Sequence, residues 1–371
     1  MPQNMQKKIP LPSLLLFLTW LTVQAYLLLS AGINLHGESA RIIREAGFLA
    51  HGAHFSSPIY FSYLTEIALV YFKIKLGIGY GFIVGIQLLL NLLALLIFHS
   101  FCIKLYQSGK LALAASLLLL ACYPYQAYNG YLYTESIFFS LSIIYSCSLV
   151  GNSRITPKHI LKLAFLLLLM CLTRPTGLFF VIATFIYLYF ARLHKTGPIS
   201  FLISLAMGLS AIITINFAMG TGGGIDIIRP LREGHIICDV PTFSVDGQSI
   251  TNPGSNSIFG LISYVFDHPK PFLSLAIKKS SAFFGLTRHY YSGSHNLFLA
   301  LFFYPLYALI LLTLIRFGKK TPAAFLYFLC VMALFWLCVV FSCDEWHNRF
   351  FLTLVPFIIT MGLYFFTKKR Y

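Results

Sequence analysis

Apolar positions along this chain neither alternate nor keep to one helical stripe; they run on, turn after turn. Continuous apolar stretches of about 18 residues or more read as membrane-spanning helices. Ten spans are predicted, over 11–31, 79–103, 111–127, 134–150, 159–173, 176–192, 198–218, 296–315, 322–341 and 350–367. A membrane barrel would show short alternating segments instead. The pattern predicts an all-α polytopic membrane protein, organised as one domain over residues 1–371. The first run follows Lys7 and Lys8. It is too long for the apolar core of a cleaved signal peptide and no A-x-A site follows, so it is read as a span. One apolar stretch, 57–76, carries Glu66, Lys73 and Lys75 and is read as an interfacial helix.

Composition agrees: 58% of residues are hydrophobic and 10% charged, too greasy for a soluble domain of this size. The net charge of +16 is attributed to membrane orientation rather than nucleic-acid binding. With ten spans and a cytoplasmic N-terminus, short cytoplasmic segments collect Lys7/Lys8, Lys104/Lys110, Arg154/Lys158/Lys162, Arg192/Lys195, Arg316/Lys319/Lys320 and Lys368/Lys369/Arg370. That is 15 of the 27 basic residues, while all 11 acids fall on the other side. Were 57–76 a span, every later basic cluster would face outward, against the positive-inside rule. The outer side then carries two long loops, 32–78 with interfacial helices and 219–295. Of eight cysteines, Cys238 and Cys343 lie in polar loops, and whether they pair is open at this level.

Three neighbouring segments look too short to span. Counted outward from their basic ends at 1.5 Å per residue, 136–150 and 159–173 each reach about 22 Å and 111–123 about 20 Å. The hydrocarbon core is about 30 Å thick. Glu135 and Arg174 sit where two of these segments stop, and ionisable groups at such depth need a wet cavity or a partner. A recessed cavity open to the outer side is expected, with an acid and a base on its floor; helix tilt or bilayer thinning is the alternative.

The candidate chemistry follows. Glu135 is expected to orient a sugar or acceptor group, with Tyr133, Thr134 and His36 beside it, although an acid at a helix start also satisfies the dipole. Arg174, ahead of a helix-starting Pro175, suits a phosphate through its fork of donors; an ion pair or snorkelling is the alternative. Glu38 opens a helix in the first outer loop and is the candidate base for an incoming hydroxyl. His347 and Arg349, with Lys278 and Arg288 from the fourth outer loop, offer positive charge to an anionic lipid head. No metal-ligand spacing appears among His36, His51 and His54, and no cofactor is predicted.

Taken in order, "SSPIYFSYL", "CYPYQAYNGYLYTESIFF", "LTRPTGLFF" and "EWHNRFFLTLVPFI" resemble a family, the GT-C fold glycosyltransferases that use polyprenyl-phosphate sugars. The resemblance is to phosphatidylinositol-anchor mannosyltransferases, protein mannosyltransferases and lipid A aminoarabinose transferases, and "YTESIFF" with "TRPTG" is its most specific part. It implies that Glu38 stands where the family places a catalytic aspartate, that Glu135 is the second-loop acid, and that Arg174 and Arg349 are the basic residues of the Thr-Arg and last-helix motifs. The Asp-Glu doublet of protein mannosyltransferases is absent. The implied activity is transfer of a sugar from a polyprenyl-phosphate donor to a lipid, glycan or protein acceptor on the extracytoplasmic face, and attack opposite the phosphate would invert the anomeric centre. Compact loops and the lack of a retention signal favour a bacterial inner membrane over an endoplasmic reticulum. The competing readings are a lipid-linked oligosaccharide polymerase or ligase, and a lipid-linked glycan transporter.

Overall fold

The computed structural model describes residues 11–152, 156–190, 228–238 and 257–368, and every regular element among them is helical. The expected span 198–218 lies outside the described residues, as do 219–227 and 239–256 of the long outer loop. In chain order the main helices are α1 (Leu11–Ala31), α2 (Glu38–Ala50), α3 (Leu64–Leu76), α4 (Gly81–Tyr106), α5 (Gly109–Ala121), α6 (Tyr123–Ala127), α7 (Thr134–Val150), α8 (Pro157–Thr173) and α9 (Gly177–Leu188). After a single turn at Ile228–Arg232 come α10 (Ile258–Asp267), α11 (Pro269–Gly285), α12 (Gly293–Phe317), α13 (Ala323–Phe341), α14 (Arg349–Leu352) and α15 (Val355–Leu363).

Four helices have the length and apolarity to cross a bilayer: Pro12–Ala31, Gly81–Tyr106, Gly293–Lys320 and Ala323–Phe341. Two bent pairs bring the total to six candidate spans among the described residues. One is Gly109–Ala121 with Tyr123–Gly130, bent by 63°, and the other Trp346–Leu352 with Val355–Phe366, bent by 51°. The first break falls at Cys122, just ahead of Pro124, where the short segment counted over 111–123 ends. The second was not anticipated; Pro356, which has no N–H, sits in the first turn of α15 just past it. The helices expected to stop short do so. α7 and α8 have 17 residues each, or about 25 Å, and α5 has 13, about 20 Å. α3 has 13 residues ending on a left-handed Gly77, about 20 Å and short of a span.

α7 is the axis of the molecule. Every side chain from Thr134 to Leu149 is buried, as expected of a helix apolar on all faces. It packs on α4 and α8, and its serines at 136, 140, 142, 146 and 148 let neighbouring backbones close in. Two of its polar side chains find partners across helices: Tyr145 Oη lies 2.6 Å from Thr184 Oγ1, and Ser146 Oγ 3.2 Å from Tyr327 Oη.

The helices expected over 32–78 are present. α2 lies on α3 through Ile42, Ala46, Ile67 and Val70. Glu45 of α2 turns inward. It is buried and accepts hydrogen bonds from the Ser56 backbone N–H (2.9 Å) and hydroxyl (2.6 Å), tying down the turn after α2. Two single-residue bridges stitch outer segments together: Asn34 with Tyr131, and Ile237 with Asp344. Beside the second, Cys238 and Cys343 form a disulfide across a Cα–Cα distance of 5.2 Å.

Candidate functional site

Each residue of "TRPTG" has a physical reason to be where it is. The residue before a proline is pushed out of the helical region, and Arg174 is extended at φ −152°, ψ 146°, ending α8. Thr173 Oγ1 donates to Leu169 O at 2.6 Å in the closing turn. Gly177 starts α9 so close to α8 that a Cβ there would meet the Met170 carbonyl carbon at 2.6 Å. The junction is therefore compact, and it projects the Arg174 side chain towards the head of α7.

There Tyr133 is extended and α7 begins at Thr134, which places the Glu135 carboxylate in the first turn, where a negative charge suits the dipole. The backbone ahead is held by Asn34, whose N–H donates to Gly130 O at 2.9 Å. Tyr133 Oη donates to His36 O at 3.2 Å, which brings the start of α2, and Glu38, over the head of α7. In the last loop, His347 and Asn348 both have positive φ, 55° and 56°. This sharp turn lets Arg349 begin α14 with its side chain facing Glu135 rather than continuing outward.

Five charged side chains meet at this point. Arg349 Nη1 contacts Glu38 Oε2 at 2.7 Å and Glu135 Oε1 at 3.1 Å, while its Nη2 holds Glu345 Oε2 at 2.9 Å. Arg174 Nη1 pairs with the same Glu135 Oε1. Each guanidinium also lies over an aromatic ring, Arg349 over Tyr133 at 5.7 Å and Arg174 over Phe350 at 5.8 Å. Three carboxylates against two guanidiniums leave one excess negative charge. Burial is graded: Glu135 has no exposed side-chain surface, whereas Glu38 keeps 34% and Glu345 26%. Water reaches the cluster from the Glu38 side, and Glu135 forms its floor.

The structure thus joins Glu38, Glu135, Tyr133, Arg174 and Arg349, drawn from four distant segments. The arginines expected to be free for a phosphate are engaged by carboxylates. Thr134 is buried beside Glu135. His36 takes part through its backbone carbonyl, and its side chain is exposed. His347 stacks on Tyr291 with ring centroids 5.9 Å apart; burial, then the charge of Arg349, pushes its imidazole below the ordinary value, which disfavours the cationic form expected of it. Lys278 is exposed on α11. Its neighbour Lys279 is buried instead, donating to Ser342 O and, at 3.4 Å, Val340 O at the end of α13. Arg288 belongs to another group: its Nη2 donates to Asp344 Oδ2 (2.6 Å) and Asn348 Oδ1 (2.7 Å), and its Nη1 to Ala282 O (2.7 Å).

Sequence reasoning assigned no role to Glu345, Tyr63 or Glu66. The four-residue spacing of Glu345 and Arg349 was a usable signal for the first. Tyr63 ends the turn before α3; burial pushes its phenol up to about 12, with Arg174 opposing and Glu38, Glu345 and Glu135 adding to the rise, so it faces the cluster. Among the described residues no group of three His, Cys, Asp or Glu side chains is arranged to hold a metal ion. No family model, curated protein or solved structure matches the chain.

Proposed function

We propose that the protein is an integral membrane glycosyltransferase of the GT-C type, moving a sugar from a polyprenyl-phosphate donor to a lipid, glycan or protein acceptor. The observation that carries this reading is the meeting of Glu38, Glu135, Arg174 and Arg349 at one half-buried point. These are the residues singled out by the motif resemblance, and they are separated by up to about 300 positions in the chain. With the ten spans and cytoplasmic termini proposed from the charge pattern, that point would lie on the outer face. The disulfide supports this placement, because the loops it joins then lie in an oxidising compartment such as the periplasm.

In this reading the donor phosphate approaches from the Glu38 side and competes with the carboxylates for the donors of Arg349 and Arg174. Drawing Arg349 away from Glu38 frees that carboxylate to meet the acceptor. The acceptor hydroxyl or amine attacks the anomeric carbon opposite the phosphate. The C1–O bond breaks, its electron pair leaves with the polyprenyl phosphate, and the proton passes to Glu38. A phosphate is a good leaving group, so the arginines suffice to stabilise the charge that develops on it.

The test is transfer from polyprenyl-phosphate sugars by purified protein in lipid nanodiscs. Glu38→Gln is expected to lower turnover by at least about 100-fold while donor binding persists. Near-normal turnover in Glu38→Gln would remove the base assignment. A wild type that neither binds nor turns over any such donor would remove the reading.

A further inference from the structure

Glu66 lies in the first turn of α3, wholly buried, and neither of its carboxyl oxygens has a hydrogen-bond partner. A carboxyl without a partner in such a place is costly, and buried polar groups of this kind are normally satisfied. Glu135 presents the same anomaly on one side: Oε1 receives both arginines, while Oε2 is buried and unpartnered. The two side chains are near enough for the charge on one to act on the other. α3 packs against α8 and α7, and Thr65 Oγ1 donates to Leu169 O at 3.5 Å, so this turn of α3 is seated against the helices that carry Arg174 and Glu135.

We propose that Glu66 and the free oxygen of Glu135 form a subsite for the hydroxyls of an uncharged sugar ring. Three unpartnered carboxyl oxygens ask for hydrogen-bond donors, and vicinal hydroxyls supply them in pairs. Burial pushes the Glu66 carboxyl up to about 8, with the charge of Glu135 adding to the rise. At neutral pH Glu66 is therefore largely protonated, able to donate one hydrogen bond and accept others. A neutral acid suits a neutral polyol. An amino sugar would demand the carboxylate.

The inference rests on the glycosyltransferase reading, and the experiment separates the two. Native mass spectrometry compares the binding of polyprenyl-phosphate mannose with that of unsubstituted polyprenyl phosphate, for wild type, Glu66→Gln and Glu66→Leu. The expected result is tighter binding of the mannosylated lipid to wild type. Most of that advantage persists in Glu66→Gln, which keeps hydrogen-bonding atoms, and about tenfold is lost in Glu66→Leu. Binding of unsubstituted polyprenyl phosphate stays unchanged in all three. An unaltered advantage in Glu66→Leu overturns the subsite and leaves the parent reading standing, as does a wild type that binds both lipids equally. If Glu66→Leu does not fold, loss of the advantage in Glu66→Gln alone also overturns it, since that result requires a carboxylate. Binding of neither lipid to wild type removes both.

Discussion

Two charged clusters sit side by side at one end of the helices, and the loop 343–349 feeds both. Asp344 turns one way, to Arg288; Glu345 and Arg349 turn the other, to Glu38 and Glu135. The Arg288 cluster pairs one acid with one base, both buried, and surrounds them with Asn348, two backbone carbonyls, a bridge and a disulfide. Its neighbour has three acids to two bases, one exposed rim and an unpartnered carboxyl oxygen on its floor. A balanced, enclosed pair is what a fixed clamp requires. An unbalanced cluster with free acceptors has capacity left for something that is not protein. The same seven-residue loop therefore feeds an enclosed clamp on one side and an open, acid-rich cluster on the other.

The strongest way to break this contrast is to remove one acid from each cluster. Asp344→Ala leaves Arg288 buried without its counter-ion and is expected to cost about 3–5 kcal/mol. Glu38→Gln leaves Arg349 with two carboxylates and is expected to cost less than about 1 kcal/mol, like other partly exposed ion pairs. Thermal unfolding in detergent measures both. Equal losses would mean that the clusters do not differ in kind. Next in size is the disulfide, which closes a loop across a separation of 105 residues. The double variant Cys238→Ser with Cys343→Ser is expected to lose about 2–4 kcal/mol. Because the loop also carries Arg349, sugar transfer should fall along with the unfolding temperature. Full transfer by the double variant would show that Arg349 is held from elsewhere.

How much of this was legible in the sequence depends on what kind of force fixes each feature. The long spans α4, α12 and α13 follow from run length alone, and the shortness of α7 and α8 follows from counting residues between punctuation marks. The bend after Leu352 does not, because Pro356 is equally at home in the first turn of a new helix and marks no particular break. Glu38, Glu135, Arg174 and Arg349 could be named as charges that a membrane does not tolerate without purpose. An ion pair was an open alternative for Arg174, but which acids meet which arginines was beyond reach, since pairing depends on which segments meet. The Asn34–Tyr131 bridge that brings them together leaves no mark in composition. Glu66 was misleading for a related reason. With Lys73 and Lys75 it reads as part of a polar interfacial face, but the lysines reach away, Lys75 Nζ to Ala50 O at 2.8 Å, and Glu66 turns inward.

A smaller effect probes the join between backbone and site. Gly37 precedes Glu38 at φ 65°, ψ −123°, a conformation that side chains oppose, and a Cβ there would lie 2.5 Å from Tyr133 Oη. Gly37→Ala is expected to cost about 1–3 kcal/mol and to shift Tyr133 away from His36. Its transfer rate should suffer more than its stability, whereas substitution of the exposed Gly293 by Ala, with no atom within 4 Å of the new Cβ, should leave both alone. Comparable loss in the two variants would deny Gly37 its special place.

The smallest effect concerns protons on the unbalanced side. Glu66 has an ordinary carboxyl value of 4.5 that burial, and then Glu135, raise to about 8 in the folded protein. Below 4.5 the group is protonated whether the chain is folded or not, and its contribution to stability is fully present. Between 4.5 and 8 the folded state holds a proton that the unfolded state has released, so that contribution declines as pH rises, and it is flat above 8. Wild type should therefore lose stability relative to Glu66→Gln on going from pH 5 to pH 8, by roughly 1 kcal/mol or more. The measurement is the difference in unfolding temperature between variant and parent at each pH. A difference that does not change with pH would mean that Glu66 is ionised in the folded protein. The free oxygens opposite Glu135 would then belong to a carboxylate awaiting a cation rather than a neutral acid awaiting a hydroxyl.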